Sequence, residues 1–548
     1  MSQFFDQASL VMVPSGYKNG KVYSQKPLST DGELTFTRSN DTATRVNSSG
    51  LIEKVRTSLF TYNTDFTNVA WQKQSTTAVA DQVANPVNGA VDADLFYPNA
   101  SGTYRAIRRN LSPLVISEVG ISIYAKAAGK SILFFNDSSG TRQVAFDLSA
   151  GTFVNTSATL ISMEALSGGW YRCSFSANTE MLYMCVSDGT GNSSVTANGT
   201  DGIYIWGQQT EYGVPTEFIG VTTSAAVSVG PVANLPRLDY SGGCPSLLLE
   251  PQRTNLLQYS DGLVPAQAFG ATLTKNSIVS PDGYQNASLF TPSGGAGGVT
   301  LMTSSFSGYY TISVYLKGSV NGQKVRAFGD LQSTIIDWTI TTEWVRYTAT
   351  FNATNPTGQS IYLLAGSYFT PSQNNPFYVY GAQIEAGAYA TSYIPTIAAT
   401  TRGAEVCNLL SMSSGVASGA TAGTLFIELE HKLNSTAGDS FVFGQTNGTF
   451  PAGRGYIYAA DSGFADSFGG GGFAIPQSQT VKMIFRMNSL SNANIFQNGV
   501  KGATVSGTAW AAINSIQFRG AYASMKVKQI LFSKSALTDA QCIELTTL

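Results

Sequence analysis

The chain has 548 residues, only 12% of them charged, with a net charge of −2. A single hydrophobic core seldom grows past about 250–300 residues, so three or four domains are expected. No cluster of Lys and Arg is present to track phosphates, which excludes nucleic-acid binding, and no apolar run approaches the roughly 18 residues of a membrane helix.

The predicted elements are almost all β-strands: short alternating runs of Val, Ile, Thr, Tyr and Phe between Gly, Asn, Asp and Ser. Residues 1–50 read as a separate leader, with an apolar stretch at Leu10–Pro14 and alternation at Leu34–Thr37, too short to hold a core of its own. Its start, Met1–Asp6, lacks the basic and apolar parts of a signal peptide, so synthesis in a cytoplasm is expected. A first β-sandwich is predicted over 51–228, a connector over 229–252, a second sandwich over 253–400 and a different sandwich over 401–548. In the last, Asn498-Gly499 supplies the positive φ angles of a tight hairpin. Thr538-Asp539-Ala540-Gln541 has the form of a capping box, placing one short helix at the C-terminus. The fold class is therefore all-β, a multi-domain array of β-sandwiches.

Two of these units are copies. Arg56-Thr57-Ser58-Leu59 is answered by Arg253-Thr254-Asn255-Leu256, and Ile121-Ser122-Ile123-Tyr124 by Ile312-Ser313-Val314-Tyr315. Trp170-Tyr171-Arg172 is answered by Trp344-Val345-Arg346, and Tyr204–Gly213 by Tyr378–Gly387. The spacing shrinks along the second copy, which predicts shorter loops there. The lead-in also recurs, as Arg45–Glu53, Arg237–Gln252 and Arg402–Glu405. A duplicated module points first toward binding by avidity rather than toward one catalytic centre.

The segments Asn494–Lys501 and Met525–Leu537 resemble the strand-turn-strand and final strand of concanavalin A-like, laminin-G-type sandwiches. Val13–Gly20, Phe36–Ser39, Ala43–Asn47, Leu248–Leu257 and Tyr378–Thr396 are similar to segments of tailed-bacteriophage virion proteins, in which the middle modules look like carbohydrate-binding-module jelly rolls. The resemblance implies a virion protein of the fibre or decoration type. It further implies a leader that docks to other virion proteins, a homo-oligomer such as a trimer, and a host-surface glycan as ligand. Without glycan binding, the same modules would be architectural spacers.

Chemistry is sparse. The one histidine, His431, is expected at a solvent-facing strand end. Glu428 and Glu430 share a strand face, as a glycosidase would need, but the next position on that face is Lys432, so no enzyme is expected. Gly129-Lys130-Ser131 lacks the preceding glycine of a phosphate loop, and Gly469–Gly472 reads as a loop. The cysteines, Cys173, Cys185, Cys244, Cys407 and Cys542, are odd in number and far apart, which suits neither a disulfide framework nor a zinc site. No cofactor is expected; a structural calcium would sit at Asp137 or Asp461, in the two Asp-Ser loops. Trp170 with Trp344, and Trp206 with Tyr380, are equivalent in the two copies and predict a shared core requirement. Gln209, Glu211, Gln383 and Glu385 predict a buried hydrogen-bonding role. Sugar contacts are expected instead from aromatics unique to one copy, Tyr309, Tyr310 and Tyr368.

Overall fold

The computed structural model describes residues 2–110, 118–136, 142–155, 157–179, 181–263, 267–305, 307–329, 334–353, 359–410, 412–413, 415–416, 420–433, 438–444, 455–459, 464–467, 473–489, 492–506 and 515–548. The chain is all-β: two jelly-roll-like modules and a concanavalin A-like sandwich, closed by a short C-terminal helix.

The first module faces two six-stranded antiparallel sheets against each other, and the second faces two five-stranded sheets. Alternation along Glu118–Ala128 sends Ile121, Ile123 and Ala125 into the first core with Phe135, Phe146 and Phe175. Gly308–Gly318 does the same in the second, where Ile312, Val314 and Leu316 meet Trp338 and Phe351. The shorter spacing of the second copy has a definite cause. Strands Thr152–Asn155 and Thr159–Ala165, an edge strand on each sheet of the first module, have no counterpart in the second. Strands are missing, not merely loop residues as the sequence suggested.

The leader is not a separate unit, and this corrects the boundary at residue 50. Leu10–Met12 pairs antiparallel with Ala523–Ser533, placing Leu10 opposite Phe532. Connector strand Ser246–Leu249 takes the other end of the same edge, with Leu247 opposite Val527. In the facing sheet, Leu34–Thr37 pairs with Val406–Leu409. Leu10, Met12, Val22, Leu34 and Phe36 sit in one core with Leu247, Leu249, Ile427, Phe485 and Ile530. A segment too short for its own core is stable here because burying each such side chain in the larger one is worth about 1.5–3 kcal/mol. The two modules are thus insertions between strands of one composite sandwich. A helix at Ser2–Gln7, unforeseen in the sequence, packs Phe4 beneath that sandwich.

The leader and the two later lead-ins converge at the root of the modules. Arg38, Arg237, Arg402, Glu250 and Glu405 are all buried. Glu405 Oε1 accepts from Arg38 Nη1 at 2.7 Å and from Arg237 Nε at 2.7 Å. Glu250 Oε2 lies 2.8 Å from Arg237 and 2.9 Å from Arg402. The paired guanidinium groups hold the Glu250 carboxyl well below the usual range, against the opposing effect of its burial.

At the C-terminus Asp539–Thr546 is helical. Thr538 Oγ1 accepts from the Gln541 amide at 3.3 Å, and Gln541 Oε1 accepts from the Thr538 amide at 2.9 Å, the reciprocal pair the sequence predicted. Asn498 and Gly499 both have positive φ, at 48° and 80°, and join Gln497 to Val500.

Candidate functional site between the modules

A duplicated cassette shapes the end of each module. In the first, Gln209 Nε2 donates to Glu211 Oε1 at 2.6 Å, and that carboxylate accepts from the Thr216 amide at 2.7 Å. Gln209 Oε1 in turn accepts from the Ile219 amide at 2.5 Å. In the second, Gln383 donates to Glu385 at 2.6 Å, Glu385 accepts from the Thr391 amide at 2.8 Å, and Gln383 accepts from the Ile394 amide at 2.7 Å. All four side chains are buried. They act as backbone surrogates that pin the loop after the strand, as predicted, because two buried amides would otherwise lack partners.

The glycine before each cassette has the same function twice. Gly207 and Gly381 both sit at φ +60°, where the pairing slips by one residue, and a Cβ there would meet the ring of Tyr124 or Tyr315 at 3.1 or 3.2 Å. Trp206, Trp170, Tyr124 and Ala93 form a buried cluster under the pinned loop. Tyr380, Tyr393, Tyr315 and Trp344 form its counterpart. These aromatics therefore pack on the outer face of their sheet, apart from the central core.

Polar bridges hold the modules side by side. Lys54 Nζ reaches Asp261 Oδ2 at 2.6 Å and Asp282 Oδ2 at 3.2 Å. Asn276 of the second module donates to both Glu118 oxygens of the first, at 3.0 and 3.1 Å, and Tyr284 donates to Glu217 at 2.5 Å. Burial opposes the charge on Asp282, but the Lys54 ammonium and the Ser280 and Asn286 hydrogen bonds win and lower its pKa.

Between these bridges run two connected cavities of about 290 and 330 Å³, sharing Lys54, Tyr212, Val214, Asp261, Thr396 and Ile397. Tyr212 is 36% exposed and Ile397 38%, so an aromatic ring and an apolar wall face the opening. Tyr259, Asn178 and Asn286 complete the larger cavity. Asn286 is only 6% exposed; its Nδ2 donates to Asp282 at 2.8 Å, while its Oδ1 has no protein partner. A buried amide oxygen left open in a cavity is an acceptor available to a ligand. The larger cavity has the size of a small-molecule site, and its lining mixes Tyr212, Val214 and Ile397 with charged and amide side chains.

The structure does not bring the expected sugar-contact tyrosines together. Tyr309 is 55% exposed at the start of Gly308–Gly318, whereas Tyr310 packs half-buried against the core. Tyr368, 37% exposed, lies in the loop tied by Gln373 to the Lys324 amide, near the far end of that strand and roughly 30 Å away at about 3.3 Å per residue. The residues of the groove were missed because none is special within its own copy.

Other candidates resolve as follows. His431 is buried, not solvent-facing as expected, and desolvation lowers its pKa to about 4. Its Nε2 lies 3.0 Å from Ser440 Oγ, but the Ser440 proton goes to the Ile457 carbonyl at 3.1 Å and His431 Nδ1 has no partner. The serine is therefore not activated, and among the described residues no carboxylate orients the ring. Glu428 accepts from Gln529 at 2.6 Å, and Glu430 lies 3.5 Å from Lys528. Lys130 pairs with Asp188 at 2.6 Å. The five cysteines are unpaired, Cys244 exposed and the rest buried. Asp137, Asp461 and Gly469–Gly472 lie outside the described residues, as does Trp510. Among the described residues no group of three or more His, Cys, Asp or Glu side chains is placed to hold a metal, and no helix is long and apolar enough to cross a membrane.

No protein-family model matches the chain, and no curated protein matches it in sequence. Among solved structures, it is similar to the sialidase CBM40 module of Ruminococcus gnavus bound to alpha2,3 sialyllactose, at 12% identity over 23% of this chain and 83% of that one, with a TM-score of 0.19. It is also similar to the tandem CBM22 domains of Paenibacillus barcinonensis Xyn10C, at 12% identity over 60% and 99% of the two chains, TM-score 0.19. A third is the exoplasmic domain of VIP36 in a Ca2+/Man3GlcNAc-bound form, at 7% identity over 26% and 80%, TM-score 0.18.

Proposed function

We propose that this chain is a non-catalytic saccharide-binding protein whose ligand lies in the groove between the two modules. The observation that carries the reading is the placement of the Tyr212 ring, the Ile397 wall and the open Asn286 Oδ1 around one cavity. A pyranose offers an apolar C–H face to an aromatic ring and hydroxyls to amides and carboxylates, and the groove supplies both. Asn178 and Asp261 would take further hydroxyls.

In keeping with its sequence resemblance, the chain would serve as a fibre or appendage subunit of a tailed-bacteriophage virion, made in the bacterial cytoplasm and binding host-surface glycans. A homo-oligomer such as a trimer would present several weak grooves at once, gaining avidity without new contacts. Attachment to other virion proteins would use the surface of the composite sandwich, since the leader strands are consumed within its sheets.

A second reading, a purely architectural virion component, is favoured by one observation: the buried Arg–Glu cluster that fixes both modules to the sandwich. Glycan-array and host-cell binding of the full-length chain, presented multivalently, separates the two. The saccharide reading expects saturable binding that weakens about 10-fold or more in Tyr212→Ala, the loss of one stacking platform. No binding by the folded chain would leave the architectural reading.

A further inference from the structure

A separate cavity, of about 360 Å³, lies where the second module meets the composite sandwich. It is lined by Tyr315, Arg346 and the pinned loop Ala390–Tyr393 on one side, and by Glu430–Lys432, Ser478 and Ser524 on the other. Most charges around it are already matched. Arg45 holds Glu53 at 2.7 Å, Lys526 holds Asp239 at 3.0 Å, and Glu250 belongs to the buried cluster.

Arg346 and Lys432 are the exceptions: among the described residues neither forms an ion pair with a carboxylate. Arg346 donates from Nη2 to Ser313 Oγ at 2.7 Å and sits 5.6 Å from the Tyr315 ring centre, and its buried Nε has no partner. Lys432 Nζ lies 4.8 Å over the Tyr389 ring, and burial together with the nearby Arg346 lowers its pKa.

The two copies differ in what stands beside this arginine. In the first module the equivalent Arg172 also has an unpartnered buried Nε and, among the described residues, no carboxylate ion pair, but Glu164 is its direct cross-strand neighbour and it donates to the Thr216 carbonyl. Glu164 stands on the edge strand Thr159–Ala165, which the second module lacks. Val345–Ala353 is an edge strand in consequence, and Arg346 fronts the cavity with no cross-strand neighbour on its outer side; Asp239, Glu250 and Glu430, which also line the cavity, are held by Lys526, the buried cluster and Lys528.

We propose that this cavity binds a saccharide carboxylate, as in a uronic or sialic acid residue, with Arg346 and Lys432 as the cationic contacts. A planar guanidinium with free donors matches a carboxylate fork, and an ammonium adds a second point charge. The Tyr315 ring faces the sugar body, and Ser478 and Ser524 meet its hydroxyls. The assignment rests on the saccharide-binding reading for the class of ligand only, since the cavity shares no residue with the groove.

The test is calorimetric titration of the full-length chain with glucuronate, glucose and an oligo-aspartate peptide, for the wild type and for Arg346→Gln, Lys432→Gln and Tyr212→Ala, each checked by its melting curve. Glucuronate should bind more tightly than glucose, weaken at high salt and weaken about 10-fold or more in Arg346→Gln, the loss of a charge-assisted hydrogen bond. Lys432→Gln should weaken it in the same sense, and Tyr212→Ala should leave it unchanged. Glucuronate binding no better than glucose, or equally well in both cation variants, overturns the assignment. Equal binding of the aspartate peptide overturns its saccharide part. Loss of glucose binding alone in Tyr212→Ala, with glucuronate retained, bears on the groove and not on this cavity.

Discussion

At the scale of single residues, Glu405 is the most consequential side chain. It neutralises two guanidinium groups that have no water to turn to, so Glu405→Gln should cost about 3–5 kcal/mol, the usual penalty for stranding a buried charge. Urea denaturation measures this, and Asp337→Asn serves as the contrast. The Arg326–Asp337 pair is partly exposed, so its loss should change stability by less than about 1 kcal/mol. The titration of two carboxylates has opposite signs. Glu250 is held below its ordinary value of 4.5, so its contribution is present above about pH 4.5 and fades as the solution is acidified below that. Asp94, which accepts from the Phe66 amide at 2.8 Å, is raised by burial from 3.8 to about 6. Its protonated form favours the folded state, so the first module should lose stability as pH rises from about 4 to 6. Calorimetry across that range should show the loss in the wild type and not in Asp94→Asn.

At the scale of elements, the leader strands decide whether the composite sandwich exists. Phe36→Ala removes a fully buried ring from its core and should cost about 3–5 kcal/mol. Deleting residues 2–37 removes strands from both sheets, so limited proteolysis should find 401–548 degraded while the two modules resist. A resistant 401–548 in that deletion would contradict the pairing of Leu10–Met12 with Ala523–Ser533. The elements themselves were mostly legible in the sequence. Thr538 and Gln541 announce a helix start because capping is local, and Asn498-Gly499 announces a turn because positive φ is local. The Gln-x-Glu cassettes were legible as buried because they recur. The partner of a three-residue strand was not, since Leu10 carries no mark of Phe532 more than five hundred positions away.

For the whole molecule, the Arg–Glu cluster joins the leader, the connector and both module roots, so the units should behave as one rigid particle. Small-angle scattering should fit a single arrangement without interdomain bending, and Glu405→Gln should loosen it. Sequence alone determined the all-β class and the duplication. Those follow from local periodicity, repetition and residue type, which are written along the chain. Only the tertiary structure decided that the leader belongs to the C-terminal sandwich, that five dispersed charges form one buried cluster, and that Tyr212 faces Asp261 across two modules. These are contacts between segments far apart in sequence, and strand pairing, burial and charge neutralisation select them only once the whole chain has closed on itself.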